Sequence, residues 1–137
     1  MNTDGNSGFP ELVCAMYAFK KNAAGTGGAF TVTMQPPNGE RWRVIAAQAF
    51  HDGVAARTLQ WRFADDVDYF DLVAPASLAA SALSNLYMSA TGSVPVAAPV
   101  ICTPQGYLVV VGGAAFLNGE KIYIQAIIER IKGIDNV

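Results

Sequence analysis

The chain has 137 residues, a size that suits one domain built around a single core. It is 52% apolar and only 15% charged, with a net charge of −2, so it has no field to draw nucleic acid or an anionic membrane. So little charge on a domain points instead to surface covered by other chains.

Residues 1–10 form a polar, glycine-rich arm, read as flexible, and residues 11–137 form one β-sandwich domain. The arm has no basic stretch ahead of an apolar core, so it does not read as a secretory signal. No apolar run approaches the roughly 20 residues of a membrane span, and no membrane partner is expected. Strands are expected over residues 12–19 and 30–34, separated by a glycine-rich turn at 20–28. After a Pro-Pro-Asn-Gly loop, a third strand runs over residues 41–50. Trp42, Val44, Ala46 and Phe50 are expected on its inner side and Arg43 on its outer side. Residues 58–63 alternate cleanly, with Leu59, Trp61 and Phe63 inward and Thr58, Gln60 and Arg62 outward. Asp65, Asp66, Asp68 and Asp71 surround a short Tyr69-Phe70 strand.

From Leu72 to Gly119 the chain contains no charged residue. Residues 75–82 read as a short helix with proline at its first position, and residues 83–91 as a strand, with one longer helix to Met88 as the competing reading. Pro95, Pro99 and Pro104 keep residues 92–104 extended, at a sheet edge or crossing between sheets. Two apolar runs then flank Asn118-Gly119, the strongest short-range signal for a tight hairpin, whose type I′ turn needs positive φ at both central residues. That register pairs Val109 with Ile128 and Val111 with Ala126, and sets Leu108, Val110, Tyr123 and Ile127 on the other face. A bulge at Gly112-Gly113 would exchange the faces. Short strands divided by Gly, Pro and Asn turns define an all-β, antiparallel β-sandwich of jelly-roll type, with at most one short helix.

Reactive constellations are missing from this pattern. His51 is the single histidine and adjoins Asp52, but neighbours on a strand end point to opposite sides, as an ordinary turn would place them. Cys14, Cys102 and His51 lack zinc-ligand spacing, and the two cysteines read as free, buried thiols, since a disulfide between them would stand without a framework. The Asp65 to Asp71 cluster lacks the glycine and terminal glutamate of an EF-hand loop and reads as a solvated turn. Gly25, Gly27 and Gly28 are not followed by the Lys-Ser/Thr of a phosphate loop. Arg41, Arg43, Arg57 and Arg62 are expected to pair with the acidic turn or with a partner's carboxylates. No catalytic residue, cofactor or metal is therefore expected, and no enzymatic activity. An alternative function is a carbohydrate-binding module of fibre or lectin type, which would stack sugar on Trp42, Trp61 or Tyr87.

The order of segments also carries a resemblance. A loop with Gly-Glu-Arg-Trp-Arg-Val-Ile at 39–45 is followed by Arg-Thr-Leu-Gln-Trp at 57–61 and a neutral Ala/Ser-rich stretch at 76–90. Pro-Val-x-x-Pro-Val at 95–100, Pro-x-Gly-Tyr-Leu at 104–108 and a last strand ending in Glu-Arg complete it. Over residues 35–131 this resembles the small jelly-roll cement, or decoration, proteins of tailed bacteriophages. The resemblance implies a mechanical role: a homo-oligomer, dimer or trimer, bridging major capsid protein subunits on the capsid exterior after synthesis in the host cytoplasm. It assigns no residue a role. From the residues themselves, Leu108, Val110, Tyr123 and Ile127 form the candidate interface, because a monomeric sandwich would show polar side chains at such outward positions.

Overall fold

Among the described residues ten strands form, and the longer ones place an apolar set against one shared interior. The structure, a computed structural model, describes residues 13–87 and 100–132, with side chains from 16 to 87 and from 100 to 131. The strands are β1 (Val13–Ala24), β2 (Phe30–Met34), β3 (Arg41–His51), β4 (Arg57–Ala64), β5 (Tyr69–Asp71), β6 (Ala76–Leu78), β7 (Ser84–Asn85), β8 (Val100–Cys102), β9 (Tyr107–Gly112) and β10 (Lys121–Lys132). Every pairing is antiparallel. One sheet runs β1-β10-β3, with β7 and β8 sharing the far edge of β3; the other runs β2-β9-β4, with β5 and β6 sharing the far edge of β4.

This is the order produced when a chain is folded in half and the doubled ribbon is wrapped around a core. First pairs with last, second with second-to-last, and the two middle strands bear the short split edges. The double-sheet jelly roll follows. One edge of each sheet is thus split into pieces of two or three residues, while β1 and β2 form the opposite, continuous edges. The interior is filled by Trp61, Phe116, Met34, Leu59, Leu86, Leu108, Ile122, Ile124, Val32, Val44 and Val110, all at most 2% exposed.

The sequence pattern holds for β2 and for the inward residues of β4, with Val32, Met34, Leu59 and Trp61 in the core. Gln60, expected outward, is instead buried, covered on that side by the chain at Val73, to whose carbonyl it donates at 3.2 Å. Three further expectations are corrected. First, β1 continues to Ala24, so the glycine turn is confined to residues 25–29. Second, the stretch expected as helix is extended at Ala76–Leu78, because β4 offers it a free edge along residues 57–59. Tertiary pairing overrides a weak local preference there. Of the expected 83–91 strand, residues 83–87 are described and only Ser84–Asn85 is strand; residues 1–12, including the arm, and 88–99 lie outside the described residues.

The third correction concerns the last quarter of the chain. β9 and β10 do not pair with each other; they lie in opposite sheets. Val109 is opposite Thr33 and Arg62, while Ile128 is opposite Tyr17 and Val44. Residues 113–120 carry the chain across the end of the sandwich through two consecutive turns. In one, Phe116 N donates to Gly113 O at 3.5 Å; in the other, Glu120 N donates to Leu117 O at 3.1 Å. In the second turn Gly119 has φ +89°, but Asn118 has an ordinary negative φ, since Ser81 is the sole non-glycine residue with positive φ among those described. A turn with positive φ at its third residue alone is type II in character, not the I′ turn of a tight hairpin. The crossing is what inverts the faces of β9: Leu108 and Val110 point into the core at 0% exposure.

The two turn residues are therefore unequal. Gly119→Val is expected to cost roughly 1–3 kcal/mol, because a β-branched residue is strained at positive φ although no atom lies within 4 Å of the added carbon. Asn118→Ala is expected to stay within about 0.5 kcal/mol of wild type, as a surface substitution at ordinary φ. Chemical denaturation of both variants checks this; a large loss in Asn118→Ala would restore the I′ turn.

Candidate interaction face

Two features stand out among the described residues: a buried polar knot at one end of the sandwich, and an apolar outer face on the sheet of β1, β10 and β3. The knot is built where three connections pass between the sheets: residues 25–29, 52–56 and 113–120. Arg57, at the start of β4, meets Glu120, just ahead of β10, through Nε to Oε1 at 2.8 Å and Nη2 to Oε2 at 3.0 Å. Arg57 and Glu120 are 6% and 8% exposed, so this is a two-pronged pair inside the fold. The carboxylate also accepts from Leu117 N and Val54 N, each at 2.9 Å, so its oxygens are fully used. The Arg57 hydrogen bonds and the Leu117 amide pull the Glu120 carboxyl down to about 2.

His51 lies beside this pair at 0% exposure. Gly53 N donates to its Nδ1 at 2.9 Å, so Nε2 carries the proton and donates to Leu78 O at 2.7 Å. The Phe116 ring stands edge-on to His51 at 5.5 Å and to Phe30 at 5.1 Å, with Arg57 over it at 6.0 Å. Gly53 is needed here: a side chain would come to 3.1 Å from Arg57, Glu120 and His51 at once. The sequence placed His51 and Arg57 in separate segments, and Glu120 stood unremarked beside a turn. A lone buried-type arginine and a lone glutamate, each at a strand start, carry no spacing that pairs them. The knot leaves no free nucleophile or base, and its role is structural.

The outer face owes its character to an irregularity in β3. Ala46 pairs with Ile127 and Val44 with Ile128, which leaves Ile45 as an extra residue, a β-bulge. Before the bulge Trp42 and Val44 point inward; after it Ala47, Ala49 and His51 do. The expected inward placement of Ala46 and Phe50 is thus reversed, and Ile45 and Ala46 both face out. Ile45 at 41%, Ile127 at 46% and Met16 at 59% exposure form an apolar surface with Ala18 and Ala46. Around it, Gln48 Nε2 donates to Gln125 Oε1 at 3.2 Å, and Arg43 pairs with Glu129 at 3.5 Å. Phe50 stacks flat on Tyr123 at 4.9 Å, and the Tyr123 hydroxyl donates to Asp52 Oδ2 at 3.2 Å. The centre of the face is a groove of about 570 Å³ bordered by Ala18, Lys20, Ile45, Gln48, Tyr87 and Ile127.

Of the four interface candidates, Tyr123 and Ile127 lie on this face. Leu108 and Val110 do not; they are core, because β9 belongs to the other sheet. Ile45 and Ala46 were missed, since only the bulge turns two consecutive residues of β3 outward, and Met16 was missed because its face is set by the pairing of β1 with β10. The aromatic candidates for sugar stacking are also accounted for. Trp42 and Trp61 are 8% and 0% exposed, and the Tyr87 hydroxyl is held between Val44 O at 2.5 Å and Val100 N at 2.9 Å. Neither tryptophan offers an open ring face, while Tyr87 is half-buried and borders the groove. Arg41 and Arg43 stand on one sheet and Arg57 and Arg62 on the other. Arg57 and Arg43, expected to meet the acidic turn or a partner, pair instead with Glu120 and Glu129 of the same chain, which the fold brings beside them. Arg62 pairs with Asp71 at 2.7 Å, as expected of the acidic turn. Gly25 and Gly28 serve the knot rather than a phosphate-type loop: Gly25 N donates to Glu120 O and Gly28 N to Phe116 O, both at 2.8 Å. Cys102 is a buried free thiol, pushed up to about 11 by its burial; the side chain of Cys14 lies outside those described.

No protein-family model matches the chain, and no curated protein matches it. Among solved structures it is similar to a chain in the structure of infectious bursal disease virus Gx strain, with 10% identity and a TM-score of 0.37. That likeness covers 91% of this chain and 38% of the other, so the chain spans well under half the length of its structural neighbour. The fold assignment rests on the strand topology itself.

The knot predicts a definite acid response. The Glu120 carboxyl lies below its ordinary 4.5, so the stabilisation it contributes is complete above about pH 4.5 and disappears as the pH falls toward 2. Glu120→Gln is expected to lower the melting temperature at pH 7 and to flatten the loss between pH 4.5 and 2 that the wild type shows. Thermal melts across that range check it; parallel curves for the two proteins would show that the pair does not drive the acid response.

Proposed function

We propose that this chain is a structural component of a virion, binding the outside of a phage capsid and cementing neighbouring major capsid protein subunits. The observation that carries the reading is the outer face of the β1-β10-β3 sheet. Ile127, Met16 and Ala18 lie there by ordinary strand alternation, and a bulge adds Ile45 beside Ala46, where a monomeric sandwich would show alternating polar residues. Bulges re-aim side chains, and this one turns two consecutive apolar residues of β3, Ile45 and Ala46, outward.

Three further considerations support it. The jelly roll recurs in viral capsid proteins, lectins and cupins, and a rigid sandwich suits a mechanical role; fold alone does not choose among these. The histidine on which cupin-type chemistry would depend is locked between two backbone groups, and the tryptophans a lectin would use are inside. The order of segments resembles that of phage cement proteins. The activity proposed is mechanical and not catalytic, and needs no cofactor. Burial of apolar area at one face, about 800 Å² per partner in a standard contact, gains strength by repetition over a shell.

Ile127→Asp tests this. Ile127 is half exposed and its neighbours in the strand, Ala126 and Ile128, carry the core contacts, so the domain is expected to keep its circular dichroism and melt within about 1 kcal/mol of wild type. Self-association by light scattering, and retention on capsids by sedimentation, are expected to be lost. A folded variant that still assembles and still binds capsids would remove this face from the function.

A further inference from the structure

One segment of the surface contrasts with the groove. At the far side of the other sheet, the turn between β4 and β5 carries Val67 at 94%, Tyr69 at 53% and Phe70 at 59% exposure. It is a rigid projection. Asp65 Oδ1 accepts from Val67 N at 2.8 Å and Asp68 N at 2.7 Å, and Asp65 N donates to Asp68 O at 2.9 Å. Arg62 lies over the Tyr69 ring at 4.1 Å and pairs with Asp71, and Phe70 rests on Phe63 at 5.6 Å. Val67 therefore stands at the tip of a turn already held in shape, with the exposed carboxylates of Asp66 and Asp68 on either side of it. Docking such a turn costs little ordering entropy.

The groove on the β1-β10-β3 sheet has the complementary character. Among the described residues its lining is apolar and amide with the Tyr87 ring, and Lys20 is the one charged residue there, with no carboxylate. We propose, building on the interface reading above, that this groove receives the residue 65–70 turn of a second copy of the same chain. Val67 enters between Ile45 and Ile127, and Asp66 and Asp68 face Lys20. The projection and the groove lie on opposite sheets of one molecule, so the contact is head-to-tail. Each added copy leaves one groove and one projection unfilled. Such an interface closes into a ring or extends across a surface; it does not stop at a two-fold dimer. A shell-binding protein gains from this, because each copy is tied to its neighbour as well as to what lies beneath.

The test uses two full-length variants, Val67→Asp, which spoils the projection, and Ile127→Asp, which spoils the groove. Each alone is expected to be monomeric by light scattering at concentrations where wild type associates. Mixed in equal amounts they are expected to form a species of two chains and nothing larger, since one intact groove then meets one intact projection. Asp66→Lys, which alters charge and leaves the apolar contacts, is expected to weaken wild-type association about tenfold. The proposal is overturned if Val67→Asp associates like wild type, or if the mixture stays monomeric. In either case the interface reading survives provided Ile127→Asp still loses association or capsid binding. If wild type is monomeric at every concentration while Ile127→Asp loses capsid binding, the groove belongs to the capsid subunit and the second-copy proposal falls. If Ile127→Asp behaves as wild type in both assays, both readings fall.

Discussion

The fold depends on how its two sheets are joined at one end, and there the governing contact is the ion pair of Arg57 with Glu120. A jelly roll must pass its chain between sheets repeatedly, and each passage brings backbone polar groups to the rim of the core. Here the passages at 25–29, 52–56 and 113–120 converge on one residue, Glu120: its carboxylate accepts from Arg57, Leu117 and Val54, and its backbone carbonyl accepts from Gly25 N. A buried pair of this kind is weak evidence of net stability, because both charges lose water. Its value lies in geometry. With every acceptor position of Glu120 filled, the start of β4, the start of β10 and the two loops beside them have one mutual arrangement.

Phe116 completes that arrangement from the apolar side. Its ring is 2% exposed and touches Phe30, His51 and Arg57, so it closes the end of the core while the ion pair closes the rim. Gly112 lies directly beneath: a methyl group there would come within 2.7 Å of Ile122 and 2.8 Å of Phe116. This close approach explains why β9 must end in a glycine and why the chain then leaves the sheet. Seen from the sequence, Gly112-Gly113 resembled a bulge within a hairpin. In the fold it is the place where the backbone makes room for an aromatic ring.

At a distance from this anchored end, the sheet of β1, β10 and β3 is free to present a working surface. Its bulge at Ile45 lets one strand serve two faces out of phase: Trp42 and Val44 fill the core on one side of it, Ala47 and Ala49 on the other. Small alanines behind the bulge keep the interior close-packed while larger side chains, Ile45 and Ile127, are spent on the outside. The rigidity of the knot and the apolar character of the face fit together in a protein whose proposed work is to hold others in place. A mechanical component needs a frame that does not yield and a surface that water would prefer to leave.

The sequence by itself determined the class of fold and many of its strands. Alternation over residues 30–34 and 58–63 is a local property, fixed by the period of a β-strand against one apolar side, and it survives in β2 and β4 with Val32, Met34, Leu59 and Trp61 inward. The turn at Asn118-Gly119 was legible too, because positive φ at Gly119 is a local demand. What tertiary structure decided was partnership. Nothing local distinguishes a turn that returns a strand to its neighbour from one that carries it to the opposite sheet, so Leu108 and Val110 looked like surface and are core. The helix expected at 75–82 became β6 because an unpaired edge of β4 was waiting for it. The bulge at Ile45 and the meeting of Arg57 with Glu120 arise only when strands distant in the chain are brought into register. They determine which residues face the outside and how firmly the face is held.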